Sequence, residues 1–358
     1  MKRRDFLGTL GTGAAAALTP ALWFGPIRDW SIRPPVRPPV RFVERWSWAM
    51  GQPVHLQLFA ESEGHGYDAA AAALAELRRV ESRLTLFDDA SDLVELNRCA
   101  GGRGLRVGAD LAVTLSAGLR LEQGTAGAFN PAVEPLMRAW GFHVPRATEP
   151  SPAEIREARG AVRTARIVVS GDRVTVPHAD TRLDLGGIGV GYGLDRAASV
   201  LRRLGIRSAF LDVSGDCIAI GAPPGQDDGW SVDIAGPGIG LGIMASTRLR
   251  DAALATSANT MSVVRYRRAV RGHVMNPETG WPADALVQVS VIARTGIEAD
   301  ALSTAMLVSG KPAEGVLRFI DSCPAAAPAP APPPGRAPVP GWTAYPANLP
   351  TSATRTRG

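Results

Sequence analysis

Apolar and polar positions alternate in Val54–Phe59 (VHLQLF), the mark of a strand buried on one face. From Asp68 to Leu84 the rhythm lengthens: apolar residues recur at helical spacing with charges opposite, predicting an amphipathic helix. A second helix is predicted over Asp110–Gln123 and a short one over Ala153–Arg159. Two strands, ARIVVS and RVTVP, meet at Gly171-Asp172, a hairpin signal. Residues 183–205 read as a short strand, a glycine-rich turn and a helix ending at Gly205. AFLDVSG, CIAIGA, WSVDIAG, MASTRLRD, SVVRYRRAV and VQVSVIA follow as strands, and two helices close the pattern near Glu298–Val308 and Pro312–Ile320. Strands with helices grouped before, between and after them define an α+β fold. The expected form is a single large domain of mixed or antiparallel sheets with flanking helices, not an alternating doubly wound sheet.

The ends follow different rules. Lys2-Arg3-Arg4-Asp5-Phe6-Leu7 precedes a small-residue apolar stretch to Phe24, the pattern of a twin-arginine export signal. Pro20 interrupts that stretch, so no stable membrane span is expected. The expected organisation is a signal over residues 1–30, a Pro/Arg-rich linker over 31–41, a folded domain over 42–321, and a Pro/Ala-rich tail over 322–358. This places the protein in the periplasm or otherwise outside the cytoplasm. No cysteine precedes Cys99, so a lipoprotein is not expected. Cys99, Cys217 and Cys323 form neither a CxxC pair nor a metal-ligand spacing.

The net charge of +5 over 358 residues suggests an affinity for nucleic acid, but its distribution argues otherwise. Residues 46–320 carry 28 basic and 30 acidic side chains, so the positive excess belongs to the ends. A folded domain without a basic excess is a poor match for a phosphate backbone.

Three segments could carry chemistry. Asp184–Tyr192 (DLGGIGVGY) places glycines before a helix, where backbone can approach a ligand closely. It lacks the Gly-Lys-Ser/Thr of a P-loop, and a structural turn is an equal reading. Asp300 and Thr304 lie four apart near a helix start, so their oxygens share one face. They are hard ligands suited to Mg²⁺, or else Asp300 and Glu298 simply complement the helix terminus. His273 stands where a strand runs into the turn HVMNPETG.

In this order, AMGQ (49–52), SRLTLFDDASDLVELNR (82–98), AFNPAVEPLMRAWGF (128–142), LDLGGIGVGYGLDRA (183–197), LDVSGD (211–216), ATSANT (255–260), HVMNPETGWPA (273–283) and IEADALSTAMLVSG (297–310) resemble the FAD:protein FMN transferase family, the ApbE type. The resemblance implies that family's α+β fold. It also implies binding of FAD and Mg²⁺, cleavage of the pyrophosphate, and transfer of FMN to a threonine of an acceptor flavoprotein with release of AMP. Some relatives instead hydrolyse FAD to FMN and AMP. Carried over by position, Asp300, Thr304 and the Gly187 carbonyl would hold Mg²⁺. Met50, Phe87, Ala128, Phe129, Asn130, Asp184, Val190 and Met275 would line the FAD site, and His273 would deprotonate the acceptor threonine. The chain departs from the family pattern at Asn130 and Asn276, where Asp is usual, and at Val190, where Lys or Glu is usual. It departs again at Gln52 and in Ser214-Gly215-Asp216 and Thr256-Ser257-Ala258. These losses of charge make a catalytically weak flavin- or partner-binding relative the alternative expectation.

Overall fold

The computed structural model describes residues 40–237, 242–260, 262–267, 269–322 and 342–346. The chain begins with a hairpin, β1 (Arg41–Ala49) and β2 (Gln52–Ala60), turned by Met50 and Gly51, both at positive φ. α1 (Glu63–Leu84) is capped by the Ser62 hydroxyl, which accepts from the His65 amide. It buries Ala69, Ala70, Ala73, Leu74, Leu77 and Val80 as one stripe, as its periodicity predicts. Then come α2 (Asp92–Arg98), β3 (Leu105–Arg106), α3 (Ala109–Gly124), α4 (Glu134–Ala139), α5 (Pro152–Thr164) and the hairpin β4 (Val168–Ser170) with β5 (Arg173–Thr175). α6 (Gly189–Arg203) leads into β6 (Ser208–Val213), β7 (Asp216–Ile220), the hairpin β8 (Trp230–Ala235) and β9 (Ile243–Leu249), and β10 (Ala253–Ala258). The chain continues through the hairpin β11 (Val263–Tyr266) and β12 (Ala269–Gly272), then β13 (Gln288–Ala293), α7 (Gly296–Ser309), β14 (Arg318–Ser322) and β15 (Trp342–Pro346).

Eight strands form one antiparallel sheet in the order β1-β2-β6-β7-β10-β13-β14-β15. α1 and α6 cover one face, where Leu77, Leu194 and Leu201 meet Val54, Leu56, Leu58 and Leu211. The β8–β9 hairpin covers part of the other, with Trp230, Ile234 and Leu249 against Cys217, Leu254 and Ile292. β13 is buried along its whole length, so its polar residues must be paired. Gln288 donates to the Ala235 carbonyl at 2.9 Å, and Ser290 shares a hydrogen bond with Thr256 at 2.8 Å.

The contact that positions the site is the crossing of α6 and α7. Gly191 and Gly296 touch there, and a Cβ on either would collide with the other's carbonyl. Each helix caps the other. Asp195 of α6 accepts from the Gly296 and Ile297 amides at 2.7 and 2.9 Å, and Asp300 of α7 accepts from the Gly191 amide at 2.9 Å.

The α+β architecture agrees with expectation, and four local readings are corrected. Pro312–Ile320 is not a helix: the chain turns after α7 and enters β14. The pairing of Phe319 and Ile320 with β13 outweighs the helical spacing of that short stretch. Leu183-Asp184 is an irregular segment with no ladder of its own, and SVVRYRRAV is the β11–β12 hairpin rather than one strand. Arg41, assigned to the linker, pairs with Ala60 as the first residue of β1. The twin-arginine segment, residues 31–39 of the linker, Cys323 and the low-complexity tail beyond residue 322 lie outside the described residues, apart from β15, which pairs with β14.

Candidate functional site

The termini of α6 and α7, the β7 and β10 ends of the sheet, and the segment before α4 enclose a cavity of about 270 Å³. Ala128, Phe129, Asn130, Asp184, Gly187, Val190, His273, Met275, Asp300 and Thr304 all line it. An adjoining cavity of about 300 Å³ shares Gln52, Met137, Asp184, Gly186 and Val190, and adds Met50 and Phe87. Segments far apart in the chain thus meet around these two cavities. Phe87 differs in degree: it is 85% exposed, on the rim of the second cavity rather than inside the first.

Asp300 is 5% exposed. Burial, and then the charge of Asp216, push its carboxyl well above the usual range, against the pull of the Gly191 and Val190 amides. Asp216 is raised by its own burial and by the charge of Asp212, although one of its oxygens accepts from the Thr256 amide at 2.9 Å. Two carboxyls facing one cavity in this state resist joint ionisation unless a cation accompanies them.

The remaining donors suit such a cation. The Thr304 hydroxyl is 3.3 Å from that of Ser257, which also bonds Ser303 at 2.7 Å. A Cβ at Gly187 would come within 2.9 Å of the Thr304 hydroxyl, so only glycine lets the backbone there lie this close to Thr304. Carboxylate, hydroxyl and carbonyl are the oxygen ligands that Mg²⁺ selects. Among the described residues no group of three or more His, Cys, Asp or Glu has the arrangement to hold a metal. The fit therefore rests on Asp300, Thr304 and Gly187 together.

His273 is held by its backbone, whose amide donates to the Ser262 carbonyl at 3.1 Å. Its ring lies edge-on to Phe142, and its buried Nδ1 has no partner among the described residues. Burial lowers its pKa below the ordinary value, outweighing the pull of the Ser262 backbone and the charge of Asp184 on the ring. The ring is thus neutral at pH 7 and able to accept a proton.

The departure from the family pattern at Asn130 has a local reason. Asn130 donates from its amide to Glu122 at 3.0 Å and accepts from the Ala132 amide at 2.8 Å. An aspartate there would face a second carboxylate. Asn130→Asp should therefore lower stability by about 1–3 kcal/mol at pH 8 in urea unfolding. Because burial raises the Glu122 pKa, the loss should shrink as pH falls and that group takes up a proton. Val190 is half-buried, packing against the core while lining both cavities, and nothing in the structure explains the valine there. Asn276 does not line the main cavity; its side-chain oxygen accepts from the Glu278 and Thr279 amides and shapes the turn after Met275.

Several site residues escaped the sequence reading. Asp216 and Ser257 were visible only as departures in their motifs, and Glu122 carried no signal. His143, next after the WGF of the third segment, bridges Asp184 (3.1 Å) and Glu134 (3.5 Å).

The fold and cavity define a class: an α+β domain with an oxygen-lined cavity and a second cavity adjoining it. Residues 50–327 match the ApbE family model, and the chain belongs to that family. It is 31% identical over 259 residues to an FAD:protein FMN transferase of Treponema pallidum, covering 67% of this chain and 72% of that one. It is 30% identical over 281 residues to an FAD:protein FMN transferase of Rhodobacter capsulatus; the match covers 76% of this chain but spans about half, 52%, of that relative. The crystal structure of the Thermotoga maritima ApbE protein superposes with a TM-score of 0.71 at 26% identity, over 78% of this chain and 94% of that one. Apo flavinyl transferase ApbE from Pseudomonas stutzeri shares the fold, with a TM-score of 0.69 at 22% identity over 80% and 92% of the two chains.

Proposed function

We propose that this chain is a Mg²⁺-dependent FAD:protein FMN transferase. It would attach FMN through a phosphoester to a threonine of an extracytoplasmic flavoprotein and release AMP. The observation that carries this reading is the convergence of Asp300, Thr304, Gly187 and His273 on one cavity. When bound, Mg²⁺ would neutralise charge on the pyrophosphate during phosphoryl transfer. The chain's own part is positional. The α6–α7 crossing fixes Asp300, Ser257 orients the Thr304 hydroxyl, and neutral His273 takes the proton of the acceptor hydroxyl as its oxygen bonds to the FMN phosphorus. The bond from that phosphorus to the AMP phosphate breaks, and AMP leaves.

The test is incubation with FAD, MgCl₂ and an acceptor domain carrying the family's target threonine. The expected result is a covalently fluorescent acceptor with one AMP per label. AMP without label would point to hydrolysis instead, and neither product would end the reading. The twin-arginine pattern further supports export, read by fractionating cells that express the full chain with and without Arg3→Lys/Arg4→Lys.

A further inference from the structure

The flavin reading leaves one buried network unused. After α4 the chain brings His143 between two acids from different parts of the fold. Its Nε2 lies 3.1 Å from Asp184 and its Nδ1 lies 3.5 Å from Glu134. Glu134 is 2% exposed and also receives Arg138 at 2.7 Å. The Asp184 carboxylate is committed at both ends: its other oxygen accepts from the Gly186 amide at 2.7 Å, and its own amide donates to the Pro131 carbonyl at 2.9 Å. Gly186 adjoins Gly187, whose contact with Thr304 shapes the candidate cation site.

We propose that His143 is a positioning residue of the nucleotide site: by tying Asp184 to Glu134 it aims the Asp184 carboxylate and holds the Gly186-Gly187 turn in place for FAD. This rests on the flavin reading of the cavity. Charge balance agrees with the geometry. Burial disfavours the imidazolium, but the hydrogen bonds to Asp184 and Glu134 outweigh it and raise the pKa to about 9. The groups around the ring are Glu134 and Arg138 from α4, Asp184 before α6, Glu81 of α1 across the adjoining cavity, and Asp89, Arg98 and Arg182 across a further cavity of about 330 Å³ that His143 also lines. With His143 charged, each acid of the bridge has a cationic partner. Once it is neutral, one ring nitrogen cannot donate, and one carboxylate loses its hold.

The experiment is FAD binding, followed by flavin fluorescence in MgCl₂ from pH 6.5 to 9.5, for the full chain and three variants. Wild type should bind evenly at low pH and about tenfold more weakly by pH 9.5. His143→Gln should bind about tenfold more weakly throughout, with no pH step. Asp184→Asn should also lack the step, and Asp184→Asn/His143→Gln should bind no worse than Asp184→Asn alone, because His143 acts through Asp184. The wild-type and Asp184→Asn profiles decide the matter even if His143→Gln does not fold. A step of the same size in Asp184→Asn, or His143→Gln binding that matches wild type at every pH, would overturn this proposal alone. No FAD binding by wild type would overturn the flavin reading and this proposal with it.

Discussion

Asp300→Asn should lower FMN transfer by about 10²–10³-fold while leaving the metal-free protein as stable as wild type, or more so. The two effects separate because Asp300 has two roles. As a cap it accepts from the Gly191 amide, and the asparagine oxygen keeps that bond. As a charge it is expensive: burial and the neighbouring Asp216 raise its pKa. An acid whose folded pKa is raised costs stability when ionised, a cost that fades as pH falls through the folded value toward the unfolded one near 4. Metal-free wild type should therefore gain stability between pH 8 and pH 5, and Asp300→Asn should show less of that gain. Added MgCl₂ should raise the wild-type melting temperature at pH 8 and hardly move that of the variant. If the variant transfers FMN normally, Asp300 is only a cap, the plainer reading its place near a helix start allowed.

The motifs were legible where local constraint is strong. The glycines at 186, 187 and 191 and the Asp300/Thr304 spacing stand out because close backbone approach admits few residue types, and a helix places residues four apart on one face. What brings them together was not legible. Nothing local in Asp195 shows that it caps a helix a hundred residues later, nor in Gly296 that it meets Gly191. The same holds for polar partners. Asn130 reads in sequence as a lost carboxylate, yet beside Glu122 it is the residue that avoids a buried like-charge pair. The misread strand β14 shows tertiary pairing deciding a short segment whose own preference was weak. Exposure, too, was invisible: Phe87 lies in a matching motif but stands at the rim.

The second large effect belongs to His273. His273→Gln should reduce kcat by about 10²–10⁴-fold, the usual contribution of a positioned general base. The fold should survive, since the strand-end contact comes from the His273 amide to Ser262, which glutamine retains, and Nδ1 holds no other described residue in place. The pH profile separates a base from a spacer. Burial depresses the His273 pKa, so its neutral form is more abundant than an ordinary histidine's at the same pH. Wild-type kcat should therefore rise with pH in the acid range and level off at a lower pH than an ordinary histidine would set. The variant should lose that acid limb as well as the rate. If the limb persists in His273→Gln, another group accepts the threonine proton; if the rate is unchanged, the unpaired ring nitrogen has no part in the transfer.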